Sequence, residues 1–252
     1  MALVSPDPSP ESPESEPARD SLFARRTVAL VEVLICADLL TQRAIGGTLA
    51  AFGYQAMVSG RLNLVYVVIL SLADTVLLIA LILLILSAHG ERPGEVLFGR
   101  RSIGREVAIG LPLVIAALAI GAAVMLPIQR WAPSLHTVAI NPLQGLLSSP
   151  RDAWWFALVV VAAGGVREEI QRAFLLPRFS IWLGGPAVGL AVTSIAFGAG
   201  HLLQGVDATI ATAVLGAFWG AIYLGRRSCV AAIASHSGFD LVQIAVFLAV
   251  GR

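Results

Sequence analysis

From about Leu62 to Ser87 the chain carries a single charge, Asp74, in an otherwise apolar run. A helix rises 1.5 Å per residue, so ~20 apolar residues cross the ~30 Å hydrocarbon layer of a bilayer. Such a run has to satisfy its own backbone inside lipid, which leaves a helix as its form. Comparable segments lie at about 27–52, 107–128, 154–176, 186–204, 208–224 and 229–250. Only 13% of residues are charged, against roughly a quarter in soluble domains. The chain reads as all-α: a polytopic membrane helical bundle of about seven transmembrane helices around an interior polar cavity. An eighth would sit in a divided or re-entrant segment. The first segment is the most polar, with Glu32, Asp38 and Arg43, and Pro177-Arg178 is expected to end the fourth.

Three regions follow. Residues 1–24 are rich in Pro, Ser and Glu, too polar to offset the entropy of ordering, and read as a disordered acidic tail. Lacking a basic start and an early apolar run, that tail does not read as a secretory signal. Residues 25–150 hold the N-terminal transmembrane helices and 151–252 a second helical core, which carries the candidate site residues. All 17 basic residues are arginine. With the N-terminus inside, inner loops hold Arg19, Arg25, Arg26, Arg92, Arg100, Arg101, Arg105, Arg178, Arg226 and Arg227. Outer ones hold Arg61, Arg130, Arg151 and Arg252. The asymmetry places the N-terminus in the cytoplasm and the protein, multi-pass, in a bacterial inner membrane. A net charge of +1 gives no pull toward polyanions, so nucleic acid is not an expected partner. Cys36 and Cys229 have no metal or disulfide spacing and read as small buried hydrophobes. His89 and His136 read as surface loop residues. Trp154, Trp155, Trp182 and Trp219 read as interface anchors or packing.

The exception to the apolar pattern is Gly164-Gly165-Val166-Arg167-Glu168-Glu169-Ile170-Gln171-Arg172. A central charge costs roughly 2.5–3.5 kcal/mol on insertion scales, so intramembrane charges need partners and default to function. Residues four apart share a helix face. Arg172 is four residues from Glu168 and three from Glu169, so it can hold one carboxylate while the other faces a cavity. Phe197 and His201 are one turn apart, as are His236 and Asp240. A carboxylate in an apolar pocket suits a general base that activates water. A histidine can orient that water or stabilise an oxyanion. Glu, His and Asp also ligate zinc, although no His-Glu-x-x-His motif is present. Asp74, Glu32 and Asp38 are buried charges for which pairing with Arg43 or Arg61 offers a structural explanation. On this topology Glu168 and His201 lie at different depths. For them to meet, a helix must shift or break, which Gly164-Gly165 and Gly184-Gly185-Pro186 permit.

The Glu168-Glu169 pair, Phe197-x-x-x-His201 and His236-x-x-x-Asp240, in that order, resemble the three motifs of the CAAX-protease and bacteriocin-processing (CPBP, or ABI) intramembrane proteases. That family includes the Ras-converting endopeptidases. The resemblance covers about 150–250. Arg172 departs from it, standing one position before the family's usual arginine, where Ala173 now lies, and Gln171 is a second candidate for its role. The resemblance implies an intramembrane endopeptidase that hydrolyses a membrane-associated or lipid-anchored peptide. Glu168 would activate water with His201 positioning it, Glu169 would be the partner held by Arg172, and His236 and Asp240 would bind the scissile carbonyl, with Phe197 supporting. Family members are described both as metalloendopeptidases and as glutamate-dependent. A divalent metal such as zinc would here fall to Glu168, His201 and His236, and the missing zinc motif favours the glutamate form. In a bacterium without prenylated proteins the substrate would be another small membrane peptide, including bacteriocins. A non-proteolytic scaffold of the same fold and a proton-coupled transporter are the alternatives, the latter disfavoured by the lack of matched broken helices.

Overall fold

The computed structural model describes residues 16–250. Helix α1 (Glu16–Ile35) and α2 (Leu39–Ala51) lead into a short hairpin, Met57–Val58 with Arg61–Leu62, and then α3 (Leu64–Ala88). A π-turn at Gly94–Phe98 precedes α4 (Ile103–Trp131), and a loop with two short 3-10 turns leads to α5 (Pro150–Val159). A π-helical stretch, Val160–Arg167, joins α5 to α6 (Glu168–Trp182). Then come α7 (Pro186–Ala199), α8 (Val206–Arg226) and α9 (Val230–Val250).

The molecule is an all-α membrane bundle. Among the described residues, α3, α4, α8 and α9 are long and apolar enough to cross a bilayer, and α7 is apolar but shorter. Apolar side chains such as Val76, Leu84, Ile115 and Ile195 stand outward on α3, α4 and α7, as lipid-facing surfaces require. Lipid gives apolar helices no hydrophobic reason to associate, so close approach through small residues does the work. A Cβ on Gly110 of α4 would lie 2.5 Å from the Ala231 carbonyl oxygen of α9. One on Gly198 of α7 would lie 2.6 Å from that of Thr209 in α8.

Three expectations change. The segment at 27–52 is two helices, because the chain breaks at Cys36–Asp38, where Asp38 takes a left-handed φ of 63°. The freed Cys36 carbonyl accepts a hydrogen bond from Gln171 Nε2 at 2.6 Å. Pro177 does not end its helix, since α6 continues to Trp182. The buried Arg178 holds that last part in place with Glu32 (3.0 Å) and Glu91 (2.5 Å), its guanidinium 4.0 Å from the Phe174 ring centre. The reversal follows at Gly184 and Gly185, both at φ 93°. Residues 1–15 of the expected tail lie outside the described residues, and from Glu16 the chain is already in α1.

The loop histidines are not free surface groups. His89 Nε2 lies 2.5 Å from Glu32, and His136 Nδ1 lies 2.6 Å from the buried Asp207. Cys36 and Cys229 are both fully buried. Trp154 and Trp155 are exposed at the start of α5, as interfacial anchors are.

Candidate active site

Glu168 opens α6 where the π-helical stretch ends. π-turns inside helices are rare and gather at functional sites. Here the stretch lays Gly164 and Gly165 against α9. A Cβ on Gly165 would run into Ser237, and one on Gly164 would come within 2.7 Å of Asp240 Oδ2 and 3.9 Å of His236 Nε2. The glycines let the carboxylate helix and the histidine helix approach closely.

The two glutamates face different partners. Glu169 is fully buried, and its Oε1 accepts from both Arg172 and His236 Nδ1, the latter at 2.9 Å. The one-residue shift of Arg172 therefore does not cost the pair, because i+3 also closes on a helix. Gln171 does not share this role. It points to the opposite side, donating to the Cys36 carbonyl and, at 3.0 Å, to Asp38. Glu168 does not pair with Arg172 either. Its Oε1 is 3.2 Å from Arg167 Nη2, and its Oε2 is 3.9 Å from His236 Nε2.

A carboxylate only accepts, so Nδ1 of His236 carries a hydrogen toward Glu169, and Nε2 is the edge turned to the site. Asp240 Oδ2 stands 3.7 Å from that same Nε2, one helical turn along α9. The imidazole plane is set by Trp219, stacked on it at 3.7 Å between ring centres and 14° between planes. Trp219 is in turn fixed by its Nε1–H donating to Ser235 Oγ at 3.2 Å. Phe197 packs edge-on to His236, with ring centres 5.8 Å apart, and the Arg172 guanidinium lies 5.0 Å from the Phe197 ring centre.

His201 is placed differently from expectation. It lies just beyond the end of α7, where its Nδ1 caps the Phe197 carbonyl at 2.9 Å, leaving Nε2 without a partner among the described residues. It meets the site through the Phe197 ring, 4.9 Å away between centres. Glu168, Glu169, His236 and Asp240 are brought together, with Arg172 and Phe197 around them. Among the described residues no three His, Cys, Asp or Glu side chains converge as a metal-ligand set. Both His201 and His236 engage Nδ1, with the Phe197 carbonyl and Glu169 respectively, which leaves the Nε2 edge of each as its remaining nitrogen. Glu168, His201 and His236 in particular do not converge on one point as a zinc set.

Sequence reasoning missed the stacking of Trp219 on His236 and, above all, the role of Arg167. Asp74 does not pair with Arg43 or Arg61 but with Arg167, as Asp38 does at 3.3 Å. The signal was available as charge bookkeeping, since every buried charge in lipid needs a partner. Of the two arginines in the charged stretch, Arg172 was assigned and Arg167 was left over.

The paired glycines give a contrast. Gly164→Ala should fold, because its methyl meets the far end of the Asp240 side chain, which can swing aside. Displacing Asp240 from His236 should cost ~100-fold in turnover, the scale of a 1 Å misplacement. Gly165→Ala meets Ser237 down to its Cα, 3.2 Å away, so α9 itself must move. Thermal unfolding in detergent should show Gly165→Ala markedly destabilised and Gly164→Ala close to the parent.

Residues 150–242 match the family model described as type II CAAX prenyl endopeptidase Rce1-like. No curated protein and no solved structure matches the chain. The matched segment runs from the first residue of α5 into α9 and contains Glu168, Glu169, Phe197, His201, His236 and Asp240. Over that segment the protein is similar to the type II CAAX prenyl endopeptidases, Rce1-like in type, and its long apolar helices make it an integral, multi-pass membrane protein.

Proposed function

We propose that the protein is an intramembrane endopeptidase that hydrolyses a peptide bond of a membrane-associated or lipid-anchored peptide, with Glu168 as the base that activates water. The observation that carries this reading is the gap between Glu168 Oε2, His236 Nε2 and Asp240 Oδ2. Nε2 lies 3.9 Å from the first oxygen and 3.7 Å from the second. Those separations are too long for direct hydrogen bonds and suit a bridging water. Other atoms of the cluster are directed elsewhere: Glu168 Oε1 to Arg167, Glu169 Oε1 to Arg172 and His236 Nδ1.

In this mechanism Glu168 takes a proton from water as the oxygen attacks the scissile carbonyl. Nε2 of His236, when it carries a proton, donates to the developing oxyanion, and Asp240 holds that ring edge. Glu168 then gives its proton to the amide nitrogen as the C–N bond breaks, which restores the carboxylate. Glu169 and Trp219 keep the imidazole in register. The arginine asymmetry of the loops supports a cytoplasmic N-terminus in a bacterial inner membrane.

The test is cleavage of quenched, lipid-anchored peptides by the purified full chain in proteoliposomes. The wild type should cleave, and His236→Ala should lose ~10²–10³ in kcat, the scale of removing one oxyanion donor. No cleavage of any peptide, or equal cleavage by His236→Ala, would sink the reading in favour of a scaffold or, if solute flux is seen, a transporter. Turnover should also persist after divalent ions are stripped with a chelator. Loss that only zinc restores would give Glu168, His201 and His236 a metal-binding role instead.

A further inference from the structure

One side of α6 and its π-helical lead carries Arg167, Gln171 and Arg178, and all three reach the N-terminal helices, which lie outside the family-matched segment. Two of these contacts are structural: Gln171 closes the α1–α2 break, and Arg178 is saturated by Glu32 and Glu91. Arg167 differs. It is 5% exposed, its Nη1 is bonded to the fully buried Asp74 of α3, and its Nη2 lies 3.3 Å from Asp38 and 3.2 Å from Glu168.

Neighbouring residues on a regular helix point about 100° apart and do not face each other. Arg167 nonetheless meets Glu168, because its guanidinium is drawn to the α3 side by Asp74 and Asp38. The planar fork is always charged and fixed in geometry. Its contact with Glu168 Oε1 leaves Oε2 as the oxygen turned to His236. Asp74 Oδ1 and Arg167 Nε, like Glu169 Oε2, are buried without a hydrogen-bond partner among the described residues.

We infer that Arg167, anchored by Asp74 of α3 and Asp38 at the α1–α2 break, is the positioning residue that orients Glu168. The N-terminal membrane helices thus take part in turnover through it. This rests on the reading of Glu168 as the base. Arg167 touches neither water nor peptide in this scheme. It selects the Glu168 rotamer, and the carboxylates of α3 and the break select its own.

The experiment measures kcat and KM on a quenched lipid-anchored peptide, with the full chain in proteoliposomes and thermal unfolding recorded for each variant. Arg167→Gln should lower kcat ~100-fold and leave KM within about threefold, since a misoriented base costs the chemical step and not binding. Arg167→Lys should recover about tenfold of that, because it keeps the charge but not the fork. Asp38→Asn and Asp74→Asn should each lower kcat by about tenfold at unchanged KM. Arg167→Gln within about twofold of wild-type kcat, in preparations where Glu168→Gln is inactive, overturns the inference. If Arg167→Gln is not recovered folded, Asp38→Asn decides, because Asp38 is partly exposed at the helix break, and wild-type kcat there is equally fatal. A fully active Glu168→Gln overturns the assignment of the base instead, so the two failures are told apart.

Discussion

Glu168→Gln is expected to lower kcat by ~10³-fold, within the 10²–10⁴ contribution of a general base, while thermal unfolding stays near that of the parent. The structure separates the two effects. Glu168 keeps 15% of its side chain exposed, and its one close partner is Arg167. A glutamine of the same shape still offers a carbonyl oxygen to that guanidinium. Arg167 retains Asp74 and Asp38 as counter-charges, so no buried cation is stranded. What the amide cannot do is take a proton from water. The measurement is peptide turnover in proteoliposomes beside a melting curve in detergent. Activity within about tenfold of wild type would remove Glu168 from the chemistry, and a large loss of stability would mean that its charge is structural.

How much of this was legible in the sequence depends on which interaction decides. Lengths and positions of α3, α4, α8 and α9 follow from hydropathy alone, because lipid imposes a ~20-residue apolar run on any spanning helix. Two of the motif pairs are legible through helical spacing, which places Glu169 and Arg172, and His236 and Asp240, on one face. The break at Asp38 was not legible. Nothing local forces a left-handed turn there, and the turn is stabilised from a distance by Gln171 and Arg167. The route through Pro177 was hidden for the same reason, since Arg178 is held by Glu32 and Glu91, both far away in sequence. Hydropathy also cannot tell a lipid-facing leucine from a core one. Leu84 and Leu86 of α3 read alike, yet the first is 66% exposed and the second fully buried.

The position of His201 is the most instructive difference. Spacing alone put Phe197 and His201 on one helical face and both toward Glu168. The helix ends at Ala199, however, and His201 uses Nδ1 to cap it. The residue that fixes His236 is instead Trp219, on α8, a tryptophan that sequence reasoning assigned to packing. It is packing, and its partner is the imidazole itself.

Glu169→Gln should have a different signature from Glu168→Gln, namely loss of stability together with loss of turnover. Glu169 is 1% exposed and supplies the counter-charge to Arg172, itself 4% exposed. Removing one partner of a buried pair strands the other, at about 3–5 kcal/mol. In a chain of this size that lowers the melting temperature by roughly 10 °C or more. Replacing both partners by groups of similar shape is a different matter, because apolar substitutes for a buried pair are often neutral or better. Glu169→Gln combined with Arg172→Met should therefore melt near the parent. It should still turn over at least ~10-fold more slowly, because Nδ1–H of His236 then meets a neutral amide, a weaker acceptor than the carboxylate that holds it at 2.9 Å. Stability and activity are thus predicted to separate in the double variant and to fall together in the single one. If the double variant regains both, Glu169 serves only to neutralise Arg172. If the single variant melts like the parent, the burial of the pair does not carry the energy assigned to it.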